Sequence, residues 1–101
     1  MNNELLCFTR FNGEVVTLDV SEILTRSEDL ACSCPQEMVK ILRAVRGLID
    51  QQRTCLLNNP SGVVVHTWLT GEGLQLEQTV ARILGELLQR EGILGEDFRF
   101  S

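Results

Sequence analysis

Residues 63–69, VVVHTWL, decide the architecture that the sequence predicts. Val63, Val64, Val65 and Thr67 are β-branched, which favours a pleated backbone, and the run is apolar enough on both faces to be a central strand. Turn chemistry brackets it. Asn59-Pro60-Ser61-Gly62 has the residue preferences of a type I turn, and Thr70-Gly71-Glu72-Gly73 turns the chain again on the far side.

Downstream, residues 74–91 repeat Leu76, Val80, Ile83, Leu84 and Leu87 at helical spacing, with Glu86 and Arg90 as an i,i+4 pair. Gly92 is placed to end that helix, with Ile93 folding back on Leu88 in a Schellman arrangement. Upstream, residues 35–58, PQEMVKILRAVRGLIDQQRTCLLN, predict a second amphipathic helix. Met38, Ile41, Leu42, Val45, Leu48, Ile49 and Leu56 mark its buried stripe, with Pro35 in the first turn and Ser33 and Gln36 at capping-box spacing. A helix of that length would reach about 35 Å at 1.5 Å per residue, so a break near Gly47 or Arg53 is expected in so small a domain.

The N-terminal third predicts a β-hairpin. Residues 5–11 and 14–20 flank Asn12-Gly13, the preferred pair for a two-residue type I′ turn. In that register Leu5, Cys7 and Thr9 face Val20, Leu18 and Val16 on the core side. Asp19 or Ser21 caps a short helix reaching about Leu30, with Val20, Ile23, Leu24 and Ala31 on one side. The order β-β-α-α-β-α gives an α+β fold, a small two-layer domain over residues 1–101 in which a hairpin and a third strand carry two long helices. Residues 93–101 form a tail, either flexible or docking on a partner through Phe98 and Phe100.

Charge limits the function classes. The chain of 101 residues has a net charge of −5, which opposes non-specific binding to nucleic acid. No apolar run approaches the roughly 20 residues that span a bilayer, and the N-terminus lacks a basic region followed by an apolar stretch, so a cytoplasmic protein without a membrane is expected. Against this acidic background, residues 35–58 carry Lys40, Arg43, Arg46 and Arg53 against Glu37 and Asp50. That separation of charge predicts a contact surface.

No catalytic set stands out. His66 is the single histidine, and the pairs Glu28-Asp29 and Glu96-Asp97 sit where solvated charge is ordinary. The segment TGEGL lacks the third glycine of a dinucleotide loop and the lysine of a P-loop, and Glu72 within it would repel phosphate. Cys32 and Cys34, taken with Cys55 and His66, supply four zinc-type donors, but a one-residue spacing departs from the usual C-x₂₋₄-C knuckle. A thiol lowered in pKa near the start of the second helix would suit redox response.

These readings lead to a small non-enzymatic interaction module, an adaptor, assembly chaperone or inhibitor, with no cofactor. Its expected partner is another protein or a second copy in a homodimer. Lys40, Arg43, Arg46, Arg53, Leu84, Leu88, Phe98 and Phe100 are the expected contact residues, within a face of the last helix that also includes Leu74, Val80 and Leu87. The alternative is a thiol-based metal or redox protein using Cys32 and Cys34, with Cys55 and His66 completing the metal set.

Overall fold

The computed structural model describes residues 4–101. Strand β1 (Leu5–Thr9) pairs antiparallel with β2 (Val15–Asp19), with Leu6 opposite Leu18 and Phe8 opposite Val16. This register is one residue away from the one a two-residue turn requires. The Gly13 amide donates to the Arg10 carbonyl and the Arg10 amide to Glu14, and Gly13 has φ +87° while Asn12 does not enter the positive-φ region. The connection is therefore a three-residue loop ending in a left-handed glycine, and not the type I′ pair expected of Asn12-Gly13. A one-residue shift exchanges the faces of a strand. Leu6, Phe8, Val16 and Leu18 are buried as a result, and Leu5 and Cys7, expected inside, are exposed.

Helix α1 (Val20–Ser27) follows directly, its N-cap Asp19 accepting from the amides of Ser21 and Glu22. Those hydrogen bonds, foremost that from the Ser21 hydroxyl, hold the Asp19 carboxyl below its ordinary pKa. Helix α2 (Cys34–Asn58) runs without the break expected near Gly47 or Arg53. Ser33 is its N-cap residue but makes no side-chain capping bond, and Gln36 instead donates to the Ser27 carbonyl, tying α2 to α1.

The expected third strand is absent. Residues 63–69 open helix α3 (Val63–Arg90), which continues through Thr70, Gly71, Glu72 and Gly73, where a turn was expected. A 3₁₀ turn, Pro60–Gly62, reverses the chain, and Val63 leaves it already in the right-handed helical region at φ −56° and ψ −39°. Extending a nucleated helix through β-branched residues costs only a few tenths of a kcal/mol each, about 0.7 at most. Side chains fix the start of α3: His66 Nδ1 lies 2.7 Å from Gln52 Oε1 on α2, and the Thr70 hydroxyl donates back to the His66 carbonyl.

The domain is thus α+β, a two-stranded hairpin and three helices. A lone hairpin is marginal in water; here its apolar face rests on the α2/α3 pair. Leu6, Phe8, Leu18, Val20, Ile23, Val39, Leu42, Val80, Leu84 and Leu88 build one continuous core. Its residues on α2 end at Ile49, and α3 contributes from Val80 onward. From Arg53 to Glu72 no residue is buried, so the helical hairpin extends beyond the core and the molecule measures 48 × 29 × 25 Å.

Gly92, at φ +79°, closes α3: its amide donates to the Gln89 carbonyl and the Ile93 amide to Leu88, both bonds of a Schellman end. Ile93 and Leu94 are buried, and Leu94 bridges to Phe100. Residues 93–101, expected as a free or docking tail, fold back onto their own domain.

Candidate interaction surface

The cations expected on the contact face of α2 are each engaged within the chain. Arg43 makes a forked contact with Glu4, its Nη2 at 2.8 Å and Nε at 3.1 and 3.2 Å. Arg46 reaches Glu77 on α3 at 2.9 Å and Glu4 at 3.7 Å, and also donates to the Leu5 carbonyl. Lys40 and Arg53 pair along their own helix with Glu37 and Asp50 at 3.0 and 3.7 Å. The Arg43 guanidinium, through its hydrogen bonds and its charge, holds the Glu4 carboxyl below the usual carboxylate range, and Arg43 is pushed up in return. Arg43 and Arg46 therefore brace α2 against β1 and α3. Sequence pattern revealed the positive charges but not the distant carboxylates that meet them.

The apolar residues expected at a contact are also occupied. Leu84 and Leu88 are fully buried in the core. The Phe98 ring meets Phe8 edge-on with centroids 5.5 Å apart, and Arg10 lies 4.9 Å from the Phe98 centroid. Phe100 sits under Arg26, which also donates to the Ser101 carbonyl at 2.7 Å.

Nor does the proposed metal set assemble. Cys34 and Cys55 belong to the same helix, separated along its axis by about 30 Å at 1.5 Å per residue. His66 pairs with Gln52 beside the far end of α2. Among the described residues no group of three His, Cys, Asp or Glu side chains is placed to hold a metal ion. Cys32 and Cys34 do come together: their sulfurs are adjacent across a Cα separation of 5.5 Å, within disulfide range.

A different surface remains open. Leu42 and Ile49 on α2, and Leu84 on α3, lie on the lines along which the two helices enter the core. The residues just after them turn toward the hairpin: Arg43 reaches Glu4, and a β-carbon at Gly85 would touch Phe8. The residues just before them lie about 100° back around each helix. Because α2 and α3 are antiparallel, those positions fall on one side of the pair, opposite the hairpin. They are Ile41, Leu48 and Ile83, joined on α3 by Val65, Trp68 and Leu76, which precede His66, Leu69 and Glu77. Their exposure runs from 37% at Leu48 to 62% at Trp68.

This apolar strip lies along both helices on the face the hairpin does not cover. Ile41 and Leu48 fall within the helical stripe that the sequence predicts to be buried, because an apolar residue adjacent to the core line enlarges the pattern without separating two faces. Reading residues 63–69 as a strand also concealed the strip's outer end. The strip has no charged residue between residues 54 and 71. Glu72 lies on it, and Glu37, Glu86 and Arg90 lie at its inner end, with Glu37 paired to Lys40 and Glu86 to Arg82.

Compared with known family models, curated proteins and solved structures, the chain matches none, so no relative supplies a site by likeness. Among the described residues no helix is long and apolar enough to cross a membrane.

Proposed function

We propose that this chain is a non-catalytic protein–protein interaction module that pairs with a second copy of itself through the outer face of α2 and α3. The observation that carries the reading is the uncovered strip of Ile41, Leu48, Val65, Trp68, Leu76 and Ile83, all exposed on helices otherwise docked by their opposite side. Contiguous apolar surface of this kind marks interaction sites in soluble domains. Two copies placed face to face would make a four-helix bundle, with each strip filling the other.

Area and charge both favour a second copy as occupant. A helix pair about 37 Å long and about 20 Å wide offers a footprint of about 700 Å², close to the roughly 800 Å² per partner of a standard interface. A two-fold contact brings matching residues of two copies near each other. In a chain of net charge −5, the outer half of the strip, with no charged residue between residues 54 and 71, is where such an approach meets least repulsion. An adaptor, chaperone or inhibitor role in the cytoplasm would then be exercised by the dimer.

Size-exclusion chromatography with light scattering tests the pairing, together with emission from Trp68, the single tryptophan. Mass should double with rising concentration as the emission moves to the blue, and Leu48→Glu should hold the chain as a monomer. A monomer at every concentration in both low and high salt would overturn the self-pairing.

The adjacency of Cys32 and Cys34 favours one second reading, a redox response at the entrance to α2. Two thiols there would yield two electrons and two protons to an oxidant as the disulfide forms. Counting free thiols in the unfolded chain after graded oxidation decides it: two lost together at low oxidant supports the reading, and none lost rejects it.

A further inference from the structure

A cavity of about 440 Å³ opens where the hairpin loop, the end of α3 and the C-terminal tail converge. Its walls combine the rings of Phe11 and Phe98 with Arg10, Arg82, Gln89 and Arg90, and Phe8 closes the inner end. Three guanidinium groups converge here in a chain of net negative charge.

The local pairing leaves positive charge unspent. Arg82 is taken by Glu86 at 3.0 Å, the one carboxylate lining the cavity, and Arg10 reaches exposed Glu14 at 3.4 Å through one terminal nitrogen. Arg90 takes part in no ion pair among the described residues. The Nε of Arg10 is buried and has no hydrogen-bond partner. Its Nη2 also makes no hydrogen bond among the described residues, and a ligand oxygen would supply one.

We propose that this cavity binds an aromatic monocarboxylate, its carboxylate held by Arg10 and Arg90 and its ring lodged between Phe11 and Phe98. The cavity falls within the usual range of small-ligand sites, about 300–1,000 Å³, and joins an apolar wall to a few convergent polar groups. Guanidinium recognises a carboxylate with paired hydrogen bonds, and the excess of one cation over the two neighbouring carboxylates suits a single negative charge. Phe11, fully exposed at the tip of the loop, gains a reason to be there as the outer wall of the site. The same chemistry is offered by a free small acid and by a polypeptide ending in an aromatic residue.

Amide spectra of the ¹⁵N-labelled protein, titrated separately with phenylacetate, N-acetylphenylalanine and neutral phenylacetamide, test the site. The two carboxylates should give saturating shifts at Arg10, Phe11, Gln89, Arg90 and Phe98, and phenylacetamide should give none. Tighter binding of N-acetylphenylalanine would mark a polypeptide terminus as the source, and tighter binding of phenylacetate a small acid. Arg90→Gln and Phe11→Ser change exposed residues, and their spectra report directly that the fold is kept. Arg90→Gln should weaken binding about tenfold, the scale of one charge-assisted hydrogen bond. Absence of saturating shifts, equal shifts with phenylacetamide, or full affinity in Arg90→Gln would overturn the proposal.

Discussion

Gly85 and Phe8 are packed so closely that the helix backbone serves as a floor for the ring. A β-carbon at Gly85 would lie 2.5 Å from Phe8 Cζ and 2.6 Å from Cε1. Alanine is ordinarily the better helix former by about 1 kcal/mol. Here the added methyl would have to displace a buried ring, at a cost of about 1–3 kcal/mol. Gly85→Ala should therefore be neutral to destabilising by about 2 kcal/mol in urea unfolding, whereas a clear gain in stability would show that the ring moves freely.

The Glu4–Arg43 contact should make stability depend on acid. The Glu4 carboxyl is held below its ordinary value of 4.5 by the Arg43 hydrogen bond. A depressed folded-state pKa contributes stability that is complete above the unfolded value and disappears as pH falls through the folded one. Wild type should exceed Glu4→Gln in stability at neutral pH, and the gap should close below about pH 4.5. Both side chains are partly exposed, so the gap should stay under about 1 kcal/mol. Urea midpoints measured across the acid range would show it, and a gap that widened with acid would contradict it.

Phe98 holds a left-handed backbone, φ 60°, while its ring packs against Phe8 and Arg10. Phe98→Ala loses the ring and keeps the backbone cost, which for a residue with a β-carbon is about 1–2 kcal/mol. Phe98→Gly loses the same ring but relieves that cost. The glycine variant should equal or exceed the alanine variant in thermal stability. The opposite order would mean that the ring's contacts do not set this backbone.

Ile41 and Leu42 are chain neighbours with different roles. Leu42→Ala empties a fully buried position and should cost about 2–5 kcal/mol at any protein concentration. Ile41→Ala should cost little in dilute solution and progressively more as concentration rises, because its loss falls on the paired state. Equal and concentration-independent losses for the two would place Ile41 in the monomer's own core.

The helical part of α2, the Asp19 cap and the Gly92 end were legible because each depends on local chemistry: apolar spacing, a short polar side chain, a residue free to take positive φ. The hairpin was legible as a hairpin, but its register was not. Asn12-Gly13 suits a two-residue turn, yet burial of Leu6 and Phe8 on the helices favours the longer loop. Residues 63–69 misled for a related reason. Their β-branched composition expresses a weak local preference, whereas their helical state follows from the tight turn at Pro60–Gly62 and the His66–Gln52 contact with α2. The positions of α3 that face α2 include His66, Gly73 and Glu77, so the inner stripe is partly polar or small and the outer one is the more hydrophobic. Pattern alone ran the two faces together: it marks Val80 and Leu84, which are buried, alongside Leu76 and Ile83, which are exposed.

The unburied stretch from Arg53 to Glu72 divides the molecule thermodynamically. The body has a core to unfold cooperatively; the projecting arm has only its own helical hydrogen bonds, the His66–Gln52 link and half-buried residues such as Leu56 and Leu69. Its amides should exchange with solvent well before those around Leu42 and Leu84. Pairing would then do more than cover the apolar strip. It would raise the opening cost of the arm, making a segment of the fold whose order is set by the abundance of the protein itself.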